Sequence, residues 1–430
     1  MIKRDCSGTA GAAVAALLAA ALCGCGVPEG DSGGPDTWPR FRGPGGAGVA
    51  SGDRWPTSWD VRTGKHIAWV LPLPGEGKGS PIVWHDAIYL TSADPGNRTL
   101  TVLRVNRREG TVVWRRDMVP AFDAWTPAER KAFLQQELAQ TGWAAPTPVT
   151  DGRRVWAAFG TGDVVCCSSD GALVWQRNLG PPVSKYGLAA SLVRHKDRII
   201  WQLDQGDSPQ AGLSVLIALD GTTGETVWRT PRAVENGWAT PVIAQVDGHH
   251  ELITTATDYV IAYDPATGEE FWRAEGTAGE IGPSPVVHDG IVYVVNEGTH
   301  VIAIRAGGRG DVTNSHILWR SDRTAAHTAS PVCNGRFLLE AGYVLICHDA
   351  ESGEVVWEHD PGAWASASPT LAGGMVYLPT RDGITHIFGL GPEYEAHGEA
   401  DVKEAIEATP AFAGGRIYIR GRRHLFCISR

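Results

Sequence analysis

Eight short segments of the chain gather the side chains best suited to chemistry, each just ahead of a Ser or Thr that opens an apolar run. Glu76 and Lys78 precede Ser80, Trp143 precedes Thr147, Lys185 and Tyr186 precede Ser191, and Asn236 and Trp238 precede Thr240. Glu280 precedes Ser284, His327 precedes Ser330, Trp364 precedes Ser368, and Glu407 precedes Thr409. If brought to one place, indoles, lysines and carboxylates can stack on a planar molecule or hold a cation through oxygen ligands. The same residues also suit a polar, solvated rim whose indoles shield the joints beneath it. Other chemistry is thin. Gly75-Glu76-Gly77-Lys78-Gly79-Ser80 lacks the phosphate-loop spacing and opens a strand, so no helix dipole backs it. His249-His250 falls in a turn without metal-ligand spacing, and no Gly-x-Ser-x-Gly elbow is present.

The elements that would position these residues repeat along the chain. Residues 329–360 hold four apolar runs of strand length, broken by Gly, Asn and Asp and ending on Trp357. Related units open at Ser80, Thr147, Ser191, Thr240, Ser284, Ser330, Ser368 and Thr409, and close on Trp114, Trp175, Trp228, Trp272, Trp319 and Trp357. The seventh lacks its Trp, with Phe388 or Tyr394 as replacements, and the last stops at Arg430 after three strands. A lone strand at 66–71, centred on Trp69, can supply the missing one and leave no free edge. A four-stranded sheet cannot bury both its faces alone, so the units must pack on one another. The expected fold is all-β: an eight-bladed β-propeller of four-stranded antiparallel blades, its ring closed by an N-terminal strand. In such a ring the segments ahead of each first strand converge on one mouth of the central channel.

The turn before each closing Trp is the most specific feature. Ala218-x-Asp220-x-x-Thr223-Gly224-x-x-x-Trp228 recurs at 262–272 and as Cys347 to Trp357, with Asn106, Gly110 and Trp114 as a looser copy. This pattern resembles the tryptophan-docking repeat of the PQQ-like family, the quinoprotein propellers and the outer-membrane-assembly lipoproteins of the BamB type. The resemblance spans about residues 38–430, read as one propeller domain, and speaks for the fold more than for an activity. It implies structural docking roles for Trp69, Trp114, Trp175, Trp228, Trp272, Trp319 and Trp357. For function it implies first a protein-binding scaffold with another envelope protein as partner. The alternatives are a dehydrogenase holding pyrroloquinoline quinone (PQQ) and Ca²⁺ in the funnel, or carbohydrate or small-ligand binding there. Neither a complete set of ion ligands nor a catalytic residue is assignable, so no metal site or firm cofactor is named. The ligand candidates at the mouth are Lys78, Trp143, Lys185, Tyr186, Asn236, Trp238, Glu280, His327 and Trp364. Some quinoproteins bridge adjacent cysteines, as Cys166-Cys167 would be; yet Cys166 shares its repeat slot with Ala218, Ala262 and Ala303, which suits a small packed residue.

Composition bounds the rest. A net charge of −10 argues against nucleic acid, and 43% apolar residues with 53 Gly and 27 Pro fit a turn-rich β protein. Lys3 and Arg4, then an Ala/Leu run to Leu22, read as an export signal over 1–25. Leu22-Cys23-Gly24-Cys25 resembles the bacterial lipobox, which implies a lipidated Cys25 and a periplasm-facing anchor, the outer membrane ahead of the inner. Residues 26–37 read as a flexible tether. Thr126-Pro127-Ala128-Glu129 is a capping box that predicts a helical insertion over about 126–142, with Phe133, Leu134 and Leu138 on one stripe. It can serve as a lid or pack over one end of the ring.

Overall fold

The computed structural model of the chain describes residue 1 and residues 34–122, 125–135 and 141–430. The expected signal, Cys25, the tether up to residue 33 and residues 136–140 with Leu138 lie outside the described residues. Eight antiparallel blades stand in a ring. In the sixth, Val332–Cys333, Phe337–Ala341, Leu345–Asp349 and Val355–His359 run from the axis outward. The two middle strands are buried almost throughout because both sheet faces meet a neighbouring blade, whereas the outer strand is half exposed. The eighth blade takes its outer strand from the other end of the chain: Ile67–Pro72 pairs antiparallel with His424–Ile428, Trp69 opposite Cys427.

The blades are joined by two sets of contacts. Near the axis, the Ser80 N–H donates to Thr147 Oγ1 at 3.0 Å, Thr147 to Ser191 Oγ at 2.9 Å, and Ser191 to Thr240 Oγ1 at 2.9 Å. Thr240 donates to Ser284 Oγ at 2.8 Å, Ser284 to Ser330 Oγ at 3.0 Å, Ser330 to Ser368 Oγ at 2.9 Å, and Ser368 to Thr409 Oγ1 at 3.0 Å. Seven successive blades, the first to the seventh, thus hand a backbone amide to the hydroxyl of the next. Towards the rim, most docking Trp residues lie opposite a small residue of the third strand: Ala218 faces Trp228, Ala262 faces Trp272, Cys166 faces Trp175 and Cys347 faces Trp357, whereas Trp114 faces Arg104. A register shift follows at once, and the bulge tips the indole towards the neighbouring sheet. Trp319 then rests on Gly353 of the next turn, where a Cβ would come within 2.4 Å of the ring, and its N–H donates to Ala350 O at 3.1 Å. Trp69, Trp114, Trp175 and Trp357 donate to the next blade's carbonyls in the same way.

Two blades depart from this plan. Fully buried Trp272 donates to Glu251 of its own blade, because residues 306–316 replace the tight turn of the fifth blade. Gly310–Asp311 from that excursion pairs parallel with Trp272 and Arg273. In the seventh blade neither Phe388 nor Tyr394 takes the missing indole's place. Gly398 holds that position, opposite Ile387, while Phe388 and Tyr394 pack on Trp357 of the sixth blade. Buried Trp55 and Trp59, from the N-terminal segment, fill the gap between the seventh and eighth blades beside Tyr377 and Phe412.

The Trp38-Pro39-Arg40-Phe41-Arg42-Gly43-Pro44 motif closes the channel. Trp38 pairs on the first blade's inner edge, Pro39 O accepts from Thr150 of the second, and Gly48 O accepts from Leu371 of the seventh. Between these points Arg40 reaches Pro241 O of the fourth blade at 3.0 Å, and Arg42 reaches Pro331 O of the sixth. Both guanidinium groups are buried, and burial pushes Arg42 down to about 9.

Replacing Trp272 with Ala should lower unfolding stability by about 3–5 kcal/mol, the range for deleting a fully buried aromatic; denaturant unfolding measures it. Ser330→Ala removes only a hydroxyl, yet it strands the buried Ser284 N–H, and a loss of about 1–3 kcal/mol is expected.

Candidate functional site

Above the plug, the inner ends of the blades enclose a cup of about 500 Å³ with Phe41 in its lining. Its wall follows a two-residue rule. The ring Ser or Thr lines it, and so does the residue two positions earlier, because alternate residues of an extended segment face the same side. Those earlier residues are small in five blades (Ala145, Ala189, Gly282, Thr328, Ser366) and large or charged in three (Lys78, Trp238, Glu407). Tyr186, Glu280, His327, Trp364 and Arg381 complete the mouth.

The structure therefore gathers Lys78, Tyr186, Trp238, Glu280, His327 and Trp364 around one cavity. Lys185 stands at its edge, its Nζ on Glu280. The other two candidates lie elsewhere. Trp143 is buried away from the cup against Phe122 and Phe133, beneath the helix Pro127–Gln135. Asn236 is buried and donates to Asp207 Oδ1 at 3.0 Å. Each lies four positions before its ring residue, and a neighbour two positions away, Trp238 in one case and Thr141 in the other, lines the cup instead. The reciprocal capping bonds of Thr126 and Glu129 start that helix, and buried Phe133 holds it on the rim. Phe41 and Arg381 were missed. Phe41 arrives from outside the repeats, whereas Arg381 sits on the loop between the second and third strands of the seventh blade, a position the segment pattern did not cover. The Gly-rich stretch 75–80 also finds its reason: it wraps the buried guanidinium of Arg420, which donates to Gly79 O at 2.9 Å, and a Cβ at Gly77 would collide with it.

The charges at the mouth are matched in pairs. Lys78 Nζ lies 3.0 Å from Glu407 Oε1, which Arg381 also holds. Burial pushes the Glu407 carboxyl up, but the hydrogen bonds and charges of Lys78 and Arg381 outweigh it and keep it below the usual glutamate range. Glu280 accepts from Lys185 and, at 3.2 Å, from Tyr186 Oη, while the hydrogen bonds of Lys185 itself, to Glu280 first and then to Tyr186, raise its pKa. His327 is bonded to Glu297. On the aromatic side Tyr343 stacks on Trp364 with 5.6 Å between centroids and 15° between planes, and Arg381 stands 4.6 Å over Trp364. Trp238 packs on Tyr186 at 5.1 Å, across the ring from Trp364.

This lining does not fit a quinone with its Ca²⁺. A tricarboxylated quinone needs uncommitted cations, and Lys78 and Arg381 already share Glu407. Glu280 and Glu407 stand three blades apart, each neutralised, and among the described residues no group of three His, Cys, Asp or Glu could hold a metal ion. Cys166 and Cys167 are unbridged and buried within the second blade, where burial pushes their thiols up to about 12 and about 11.

A ring of tryptophan-docked, four-stranded blades around a shallow cup defines a PQQ-like β-propeller. A family model described as outer membrane protein assembly factor BamB matches residues 98–211, 213–332 and 309–391. The chain belongs to that family. A tetrathionate hydrolase from Acidithiobacillus ferrooxidans is 24% identical over 349 residues, 76% of this chain and 67% of that protein. An outer membrane protein assembly factor BamB from Burkholderia pseudomallei is 24% identical over 355 residues, 74% of this chain and 86% of that one. The quinohemoprotein alcohol dehydrogenase of Comamonas testosteroni superposes with a TM-score of 0.67 at 12% identity, covering 93% of this chain and 81% of that one, a likeness of fold alone.

The lowered Glu407 carboxyl gives a pH test. Its pairing stabilises the fold above the unfolded glutamate pKa and is lost as pH falls through the lower native value. The melting temperature of Glu407→Gln should therefore lie below that of the parent near neutral pH, and the two should converge below about pH 4.

Proposed function

We propose that the chain is a lipid-anchored propeller of the cell envelope that works by binding another envelope protein. Family membership supports this, as does the relative whose name describes an outer membrane assembly factor. One observation carries it further. The outer strands of the first three blades show aliphatic side chains to solvent, namely Val112, Val113, Leu173, Val174 and Val227, beside edges that no further strand covers among the described residues. Such an edge can accept a partner's strand through main-chain bonds, with apolar contacts setting the register. The fourth blade is closed to this, because Gly310–Asp311 already occupies its edge. Among the described residues no helix is long and apolar enough to cross a membrane. In this reading the acyl chains on Cys25 hold the protein at the periplasmic side of the outer membrane.

Photo-crosslinking residues placed at 113, 174 and 227 in the full-length chain test this in intact cells. One discrete envelope protein should be captured from these edges and not from 273, and Cys25→Ser should release the chain from the membrane fraction. Absence of capture, together with turnover of tetrathionate or of an alcohol by the purified chain, would replace the scaffold reading with an enzymatic one.

A further inference from the structure

We infer that the cup is a carbohydrate site, taking one end of a neutral sugar chain between its aromatic walls. The inference does not depend on a protein partner at the blade edges, because the cup opens at the axis and those edges lie at the circumference.

The floor excludes passage. Phe41 and the buried arginines on either side of it seal the channel, so whatever enters the mouth stops there. A volume of about 500 Å³ falls within the range of small-molecule sites and cannot admit a folded partner. The charge pattern then selects for neutrality. Every cation there is already committed, Lys78 and Arg381 to a shared Glu407 and Lys185 to Glu280, so a carboxylated or phosphorylated ligand would have to break one of these bridges. Apolar surface comes from Trp238 with Tyr186 on one side and from Trp364 with Tyr343 on the other. Aromatic rings of this kind meet the C–H face of a sugar as well as another ring.

The hydroxyl collar separates those two ligands. Each of the seven linking Ser and Thr oxygens accepts a backbone N–H and still has its own O–H to give, and every ring residue lines the cup. Ser366 Oγ and Trp364 Nε1, on the same side, have no partner among the described residues. A crowd of neutral donors beneath apolar walls matches a molecule rich in uncharged acceptor oxygens. A flat heteroaromatic would satisfy the walls and leave the collar unanswered.

The test titrates the full-length chain in detergent with cellobiose, maltose and chitobiose, read by calorimetry and tryptophan fluorescence. At least one should bind at one site per chain and change the emission. Trp238→Ala should weaken that binding about tenfold or more, the equivalent of one lost stacking contact. Ala145→Trp or Ala189→Trp, which fill the cup from its small-residue side, should abolish it with the melting curve unchanged, so the test stands even if Trp238→Ala misfolds. Crosslinking from 113, 174 and 227 should persist in both filled variants. No response to any of the three sugars, or undiminished binding in a filled variant, would overturn the site and leave the scaffold reading untouched.

Discussion

The ring depends on a backbone amide finding a hydroxyl on the next blade. Each innermost strand opens with a Ser or Thr whose N–H points sideways, towards the neighbouring blade, into a region from which water is excluded. An unmet amide there is costly, and the next blade's hydroxyl meets it at 2.8–3.0 Å in seven successive joints. The Pro that usually follows has no N–H to satisfy, so the strand can start without a second unpaired donor. These joints hold the blades at one spacing around the axis, and so determine the width of the cup.

The tryptophans do at the rim what the hydroxyls do at the axis. A small residue opposite the indole and a bulge just after it free the ring to leave its own sheet, and a Gly in the next turn provides the flat place where it lands. Where this device fails, something else fills the space. Trp55 and Trp59 stand in for the absent indole of the seventh blade, and the excursion of the fifth is compensated by Trp272 turning to Glu251. Such substitutions show that the joint requires apolar volume more than a particular residue in a particular strand.

Closure from both ends gives the molecule its polarity. The N-terminal segment enters at the turn between the first two strands of the first blade, where the His85 N–H donates to Asp36 O, and then laces across the channel to the seventh. That end is sealed, while the other opens as the cup. A lipid anchor attached through the preceding residues would place the sealed end towards the membrane and the cup away from it. On the two proposals above, the cup and the open blade edges would form two binding regions, one axial and one peripheral.

Much of this was legible in the residues alone. The period of Ser/Thr-Pro starts and Trp ends sets the number of blades, since each unit needs a neighbour to bury its faces, and the truncated last unit points to the orphan strand at 66–71. Convergence of Lys78, Tyr186, Trp238, Glu280, His327 and Trp364 followed from the same repeat, because a ring brings the segment ahead of each first strand to one mouth. What the repeat could not convey is what enters from outside it. The plug built on Phe41, the burial of Trp143 beneath the helix, the indoles of 55 and 59 between the last two blades and the pairing of Arg381 with Glu407 are contacts that no shared repeat position encodes. Periodicity along a chain reports which face a side chain takes within its own strand; which distant group meets it is settled only when the ring has closed and excluded the water between them.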